Sequence, residues 1–312
     1  MLDPRIYPLI EVSRDELERL VGGRVAKAQP IEGGLRNTLH RVVRADGGVF
    51  VVKHHAEGMD AFERELTTLE RLAGILPVPE VVRVDRERRV LVYRWIFGET
   101  FDNCRRNEPP AAFASLAEPL GRLFAWLAHI PPLPAEESGW SIAPAVAAAR
   151  VQLADAGSRA RERMGSPLAT ALLQAFDGAD QKLAWGTPCL GHHDIGGRNV
   201  LVQRADGDRW RISGVIDWEL AGIASPLGDV GSLFRYAPRF DEAFQRDFER
   251  GYREADGVLP DDWFRTSRLH DALHVIELLD GERELPGVYS DCRMMLAKLV
   301  VDLGISRRHT DT

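Results

Sequence analysis

Hydrophobic residues change their spacing near Gly98, and that change leaves few architectures open. Ahead of it, "HRVVRADGGVFVVKHH" is two β-rich runs joined by "ADGG", a hairpin signal. "VVRVDRERRVLVYRWIFG" reads as two more strands around a charged turn. Between them, "MDAFERELTTLERLAGIL" places Phe62, Leu66, Leu69 and Leu72 on one stripe of a helix. A shorter helix opens at "SRDELERL", where Ser13 and Glu16 have capping-box spacing. Behind Gly98, "AAFASLAEPLGRLFAWLAHI" and "SIAPAVAAARVQLADAGSRARERM" are Ala- and Leu-rich and predict helices. "NVLVQRADGDRWRISGVIDW" predicts strand, turn, strand, and from Pro226 the pattern is mostly helical. The expectation is an α+β chain with two lobes. A small antiparallel sheet with one long helix occupies 1–96, a larger helical lobe occupies 97–312, and "WIFGET" is the hinge.

Bulk properties exclude several function classes. The 312 residues suffice for one large domain or two ordinary ones, and 45% apolar with 28% charged residues is the balance of a soluble globular protein. A net charge of −7 argues against a nucleic-acid partner. Cys104, Cys189 and Cys292 stand far apart, with no C-x-x-C pair, as expected of reduced thiols. The first residues lack the basic start and apolar core of a signal peptide, and no run approaches the ~18 apolar residues of a membrane span. These features predict a cytoplasmic protein that engages no membrane; they leave its oligomeric state open.

Two constellations carry chemistry. Glu65 falls on the inward stripe of its helix, where a carboxylate is costly unless paired, and Lys53 ends the preceding apolar run "VFVVK". A Lys–Glu pair beside a sheet can hold nucleotide phosphates; the alternative is a strand-ending Lys and a Glu at the edge of its stripe. In "LGHHDIGGRNVLV", Asp194 and Asn199 lie five apart, and the following strand pair ends at Asp217 in "GVIDWE". That order suits an Asp that accepts a hydroxyl proton and two oxygen ligands for Mg²⁺; the alternative is a turn with polar caps. His54 and His55 alternate along a strand and do not predict a shared metal. His270 and His274 lack an H-E-x-x-H setting and are expected at the surface or in packing. Trp126, Trp140, Trp185 and Trp263 are expected in the core or as pocket walls, and no G-x-x-x-x-G-K-[ST] loop is present.

"GHHDIGGRNVLV … SGVIDWELAGIASPLGDVGSL" resembles the aminoglycoside phosphotransferase family, whose pattern runs H-G-D-L-H-P-G-N-V-L … I-D-W-E … G-D-P … D-L-A. "EGGLRNTLHRV" is similar to that family's nucleotide loop, "FERELTTLERL" to its R-E-x-x-x-L helix, and "VLVYRWIFGE" to its hinge. The resemblance implies a protein-kinase-like fold and a small-molecule kinase using ATP or GTP with Mg²⁺. It implies Asp194 as the catalytic Asp, Asn199 and Asp217 as metal ligands, and Lys53 with Glu65 as the phosphate-holding pair. Asn37 in the loop and the hinge Tyr93 to Ile96, including Arg94 and Ile96, would contact the nucleotide. His192 would shape the turn, and Asp229 would brace the catalytic loop.

Departures from the pattern are His193 for Gly, Gly196 for His, Arg198 for Gly, Arg94 for the hinge acid and Arg36 for Ser. None touches Lys53, Asp194, Asn199 or Asp217, so an active enzyme is expected. The implied acceptor is a small hydroxylated molecule, cationic or uncharged. An aminoglycoside-type antibiotic is preferred, with an endogenous amino alcohol, amino sugar or other metabolite as the alternative. A nucleotide-binding scaffold without turnover is the reading from another class, and a protein kinase the least favoured. Acids outnumber bases beyond Ala221 and could serve a polyamine acceptor; the alternative is a solvated surface on which acids alternate with arginines.

Overall fold

A computed structural model describes residues 5–31, 36–56, 59–133, 140–205, 209–235 and 240–305. Strands β1 (Val25–Pro30), β2 (Thr38–Arg44), β3 (Val49–His54), β4 (Val81–Asp85) and β5 (Val90–Arg94) form an antiparallel sheet in the order β1-β2-β3-β5-β4. The β2–β3 turn closes as its residues dictate: Gly47 takes φ +89° and the Gly48 N–H donates to Asp46 Oδ1 at 3.1 Å. Helix α1 (Arg14–Val21) starts where Ser13 accepts the Glu16 N–H at 3.2 Å and stops at Gly22 in the left-handed region. Its Leu17, Leu20 and Val21 pack on Val42, Phe50 and Val92 of the sheet. On α2 (Met59–Leu72) the stripe Phe62, Leu66, Leu69 and Leu72 is buried throughout, as the 3.6-residue period requires.

Contacts divide the chain into two compact units. One comprises Pro4–Leu116 with Gly197–Ala221, and the other Ala117–Gly196 with Gly222–Thr312. This partition differs from a boundary at 96/97, for a reason visible in the backbone. After Gly98, β6 (Glu99–Thr100) pairs with β8 (Val200–Arg204), which pairs with β9 (Trp210–Val215). Helix α3 (Phe101–Asn107), capped by Thr100, is tied to the same segment, because the Asp102 N–H donates to Gly197 O at 2.8 Å. Beyond α4 (Pro110–Phe113), Ser115 Oγ accepts the Trp210 N–H at 3.2 Å. Phe97–Leu116 thus travels with the β8–β9 hairpin.

The second unit is helical: α5 (Ala117–Ala128), α6 (Ala143–Ala154), α7 (Arg159–Met164), α8 (Ser166–Phe176), α9 (Asp180–Leu183), α10 (Pro226–Leu233), α11 (Glu242–Glu254), α12 (Trp263–Asp280) and α13 (Pro286–Asp302). A short antiparallel pair, β7 (Cys189–Gly191) with β10 (Gly222–Ala224), joins them. The segment expected as one helix at 141–164 breaks between Asp155 and Ser158, where Ser158 caps α7 by accepting the Arg161 N–H at 3.1 Å. Leu172, Phe176, Ile276, Leu279 and Leu296 centre its core. No described helix is long and apolar enough to cross a membrane. Cys104, Cys189 and Cys292 are free and buried.

Helices α5 and α11 meet backbone to backbone through glycines. A Cβ at Gly251 would stand 2.1 Å from Glu118 O, and one at Gly121 would stand 2.0 Å from Phe248 O. Gly251→Ala is expected to destabilise the protein by about 2 kcal/mol through forced separation of the two helices, read as a lowered urea midpoint with an unchanged slope.

Candidate active site

Successive strand residues face opposite ways, so Lys53 at the end of β3 and His55 just past it share one side. Helix α2 presents Glu65 to that side from its apolar stripe. Lys53 Nζ lies 2.7 Å from Glu65 Oε2, 2.6 Å from Asp217 Oδ1 and 3.1 Å from Glu219 Oε2. His55 Nε2 lies 2.6 Å from Glu65 Oε2. Asn37 donates its amide to Glu219, and its Oδ1 accepts the Ala56 N–H at 3.1 Å. Lys53 and Glu65 are each 1% exposed, so neither charge is solvated by water. Burial works against the Lys53 charge, but Asp217, Glu65 and Glu219 outweigh it and hold the ammonium well above its ordinary range. Burial likewise opposes ionisation of Glu65, and Lys53 with the His55 hydrogen bond overcomes it, lowering Glu65 to about 2. His55, Glu65 and Glu219 have the spacing of a metal triad, yet the Lys53 ammonium already lies within bonding distance of both carboxylates. A fixed cation therefore occupies their centre.

Asp217 and Asn199 stand on adjacent strand ends. Val200 pairs with Val215, and the Ile216 N–H donates to Asn199 O at 2.9 Å. Asp217 takes φ +69°, a left-handed turn conformation that Asp tolerates better than bulkier residues, and opens the 3₁₀ turn Trp218–Leu220. That turn carries Glu219 back toward Lys53. An amide oxygen and a half-exposed carboxylate carried on adjacent strand ends are the donor chemistry a hard divalent cation takes, so the residues present fit Mg²⁺.

The loop bearing Asp194 belongs to the helical unit. Asp229 on α10 accepts the His192 N–H at 2.7 Å and the His193 N–H at 2.9 Å. Two amides held by one carboxylate fix the turn, and His192 Nδ1 then accepts the Asp194 N–H at 3.2 Å. The Asp194 carbonyl accepts the Gly196 N–H at 2.8 Å. His193, where the family pattern has Gly, sits at φ +65°, so the turn keeps the conformation at the expense of strain. Asp229→Ala should remove the brace from two amides and cost about 2–3 kcal/mol, measured as a fall in Tm.

Other departures resolve locally. Gly197 is required by close approach, since a Cβ there would lie 2.1 Å from Asp102 Oδ1. The Arg198 side chain is 75% exposed, 3.9 Å from Asp102. The Arg36 carbonyl accepts from Arg5 Nη2 at 3.3 Å. Glu32, Gly33, Gly34 and Leu35 of the expected nucleotide loop lie outside the described residues.

At the hinge the side chain of Arg94 meets Glu80 at 2.8 Å, both exposed. The Arg94 N–H donates to Glu80 O at 3.0 Å and the Trp95 N–H to Val49 O at 3.0 Å. Those two amides are spent in the sheet, which removes them as purine donors. Ile96 packs against Gly214, whose added Cβ would lie 2.6 Å from Ile96 Cδ1.

Three residues depart from expectation or were missed. Trp126 is 47% exposed rather than core. His55 and Glu219, absent from the sequence-derived site, complete the Lys53 cluster. The signals were present: His55 follows Lys53 by two strand positions, and Glu219 follows Asp217 by two in "IDWE". His270 is buried and His274 half-buried, and both line a cavity of the helical unit together with Trp140. Trp185 is half-buried and Trp263 buried.

Comparison with known proteins adds independent findings. A model of the phosphotransferase enzyme family matches residues 27–266. A viomycin phosphotransferase of Streptomyces vinaceus is 43% identical over 47 residues, a match spanning 15% of this chain and 16% of that protein. Among solved structures, the GDP complex of wild-type aminoglycoside 2'-phosphotransferase-IIIa superposes with TM-score 0.70 at 18% identity, covering 92% of this chain and 96% of that one. The macrolide 2'-phosphotransferase of Brachybacterium faecium gives TM-score 0.64 at 18% identity, covering 90% and 96%. These likenesses establish a two-lobed, kinase-like α+β fold.

Proposed function

This chain belongs to the phosphotransferase enzyme family and is a small-molecule kinase, and from that premise we propose that it transfers the γ-phosphoryl group of ATP or GTP to a hydroxyl of a small molecule. The observation that carries the reading is the buried Lys53 ammonium, 2.7 Å from Glu65 and 2.6 Å from Asp217. A cation held this rigidly in a dry site is preorganised for triphosphate oxygens. Glu65 and His55 hold Lys53 from behind, and Asn37 steadies Glu219.

Asn199 and Asp217 would hold Mg²⁺, which neutralises charge on the transferred group when bound. Asp194 accepts the proton of the acceptor hydroxyl as its oxygen attacks the γ-phosphorus. The new O–P bond forms as the bond to the β–γ bridging oxygen breaks, and the nucleoside diphosphate leaves with that electron pair. Asp229 serves this step indirectly, by holding the loop that carries Asp194. The reduced, buried cysteines and the need for ATP or GTP accord with a cytoplasmic setting.

A coupled diphosphate-release assay over hydroxylated amines, sugars and antibiotics tests the proposal. Acceptor-dependent release that vanishes in Asp194→Ala supports it. Nucleotide binding without release for any acceptor returns the protein to a scaffold.

A further inference from the structure

The acids of the late helices could serve a polyamine or, alternating with arginines, form a solvated surface. The structure pairs several of them with arginines. Glu254 meets Arg122 at 2.8 Å, Asp247 meets Arg250 at 2.7 Å, and Glu284 meets Arg163 at 2.6 Å. The same holds inside the helical unit, where a cavity of about 370 Å³ opens between α6, α10 and α12, with His193 on its wall. Of its carboxylates, Asp229 is committed to the His192 and His193 amides. Asp271 is clamped between Arg235 at 2.8 Å and Arg268 at 2.9 Å. Glu277 stands exposed. A polycation entering here would meet buried negative charge that is already balanced, and would leave its own ammonium groups desolvated and unpaired.

The lining suits a different molecule. Ile142, Ala148, Ile223 and Leu273 supply apolar surface, and Trp140 adds an aromatic ring. One polar atom is waiting. Nε2 of the His270 ring is buried with no hydrogen-bond partner among the described residues. Burial lowers this imidazole to about 4, so at neutral pH the ring carries no charge. A buried ring nitrogen left unmatched is costly, and a ligand hydroxyl, which both donates and accepts, would match it.

We propose that this cavity is the acceptor pocket and that it selects a hydroxylated molecule with an apolar ring and at most one cationic nitrogen, one hydroxyl hydrogen-bonded to His270 Nε2. The assignment rests on the phosphotransfer reading above. It makes His193, one residue before Asp194 and part of the cavity wall, a specificity-determining side chain. A polycationic aminoglycoside is then a poor acceptor.

Calorimetric titration of the nucleotide-free protein at about 0.15 M salt with phenyl β-D-glucopyranoside and with kanamycin tests the pocket. The glucoside is expected to bind at least about tenfold more tightly than kanamycin. Ala148→Trp fills the cavity from an exposed wall position and is expected to abolish glucoside binding, with Tm and ADP affinity confirming the fold. His270→Phe should weaken glucoside binding about tenfold, and His270→Gln, whose amide can donate or accept, should recover it. Tighter binding of kanamycin, no binding of the glucoside, or indifference to Ala148→Trp overturns the proposal. The phosphotransfer reading fails separately, through absence of Asp194-dependent diphosphate release, because the titration contains no nucleotide.

Discussion

Asp194→Ala is expected to lower kcat by about 10²–10⁴-fold while ADP affinity stays within about twofold of wild type, as removal of a general base demands. The carboxylate is the proposed proton acceptor, but it does not build the loop that holds it. That loop is shaped by Asp229, which takes the His192 and His193 amides, and by the Asp194 main chain, whose N–H donates to His192 Nδ1 and whose carbonyl accepts from Gly196. Truncation at Cβ leaves all of these in place. Lys53, Glu65 and Asp217, which would meet the nucleotide, belong to the other compact unit and keep their mutual contacts. Asp194→Asn preserves volume but cannot accept the proton, so it should lose nearly as much turnover as Asp194→Ala. Steady-state kinetics paired with ADP titration separates this outcome from misfolding. Full turnover in either variant would refute the assignment of Asp194 as base.

Much of this architecture was legible because its signals are local. Ser13 with Glu16, the "ADGG" turn and the stripe Phe62–Leu66–Leu69–Leu72 are each decided within a few residues. Glu65 was legible for a stronger reason: a carboxylate on a buried stripe demands a counter-charge, and Lys53 was the neighbour able to supply it. What escaped the sequence depends on the chain returning from afar. Glu219 becomes part of the Lys53 cluster because the turn after Asp217 folds back, with a sequence separation no spacing rule spans. His55 was nearer to hand: it was weighed only as a metal ligand and set aside, and the same strand alternation that separates it from His54 puts it on the side of Lys53 and Glu65. The compact units part elsewhere than at 96/97 because periodicity changes at Gly98 whereas pairing continues through β6 and β8. Likewise the arginines that neutralise the late acids were visible as residues, but their partners were not. Arg122 reaches Glu254 and Arg163 reaches Glu284 from distant helices.

Lys53→Met should destabilise the fold by about 3–5 kcal/mol at pH 7, the cost of stranding buried charge. Methionine matches the stem and leaves the cavity nearly filled, so the loss is electrostatic. Glu65 is left buried with His55 as its remaining partner, and Glu219 keeps Asn37 but loses its counter-charge. The sign of the pH dependence distinguishes this cause from poor packing. In the wild type, Glu65 is held at about 2, below its ordinary 4.5. Its contribution is fully present above pH 4.5 and is lost as pH falls from there toward 2. In Lys53→Met the burial that Lys53 had overcome prevails, and protonation of Glu65 relieves the stranded charge. The stability gap between variant and wild type should therefore narrow on acidification from pH 7 to 4, whereas a packing defect would leave it constant. Adding Glu65→Leu to Lys53→Met should recover part of the loss, because it removes the group that was stranded, and a double-mutant cycle in urea gives the coupling. A variant as stable as wild type, or a gap indifferent to pH, would mean that the Lys53 cation does not organise the carboxylates around it.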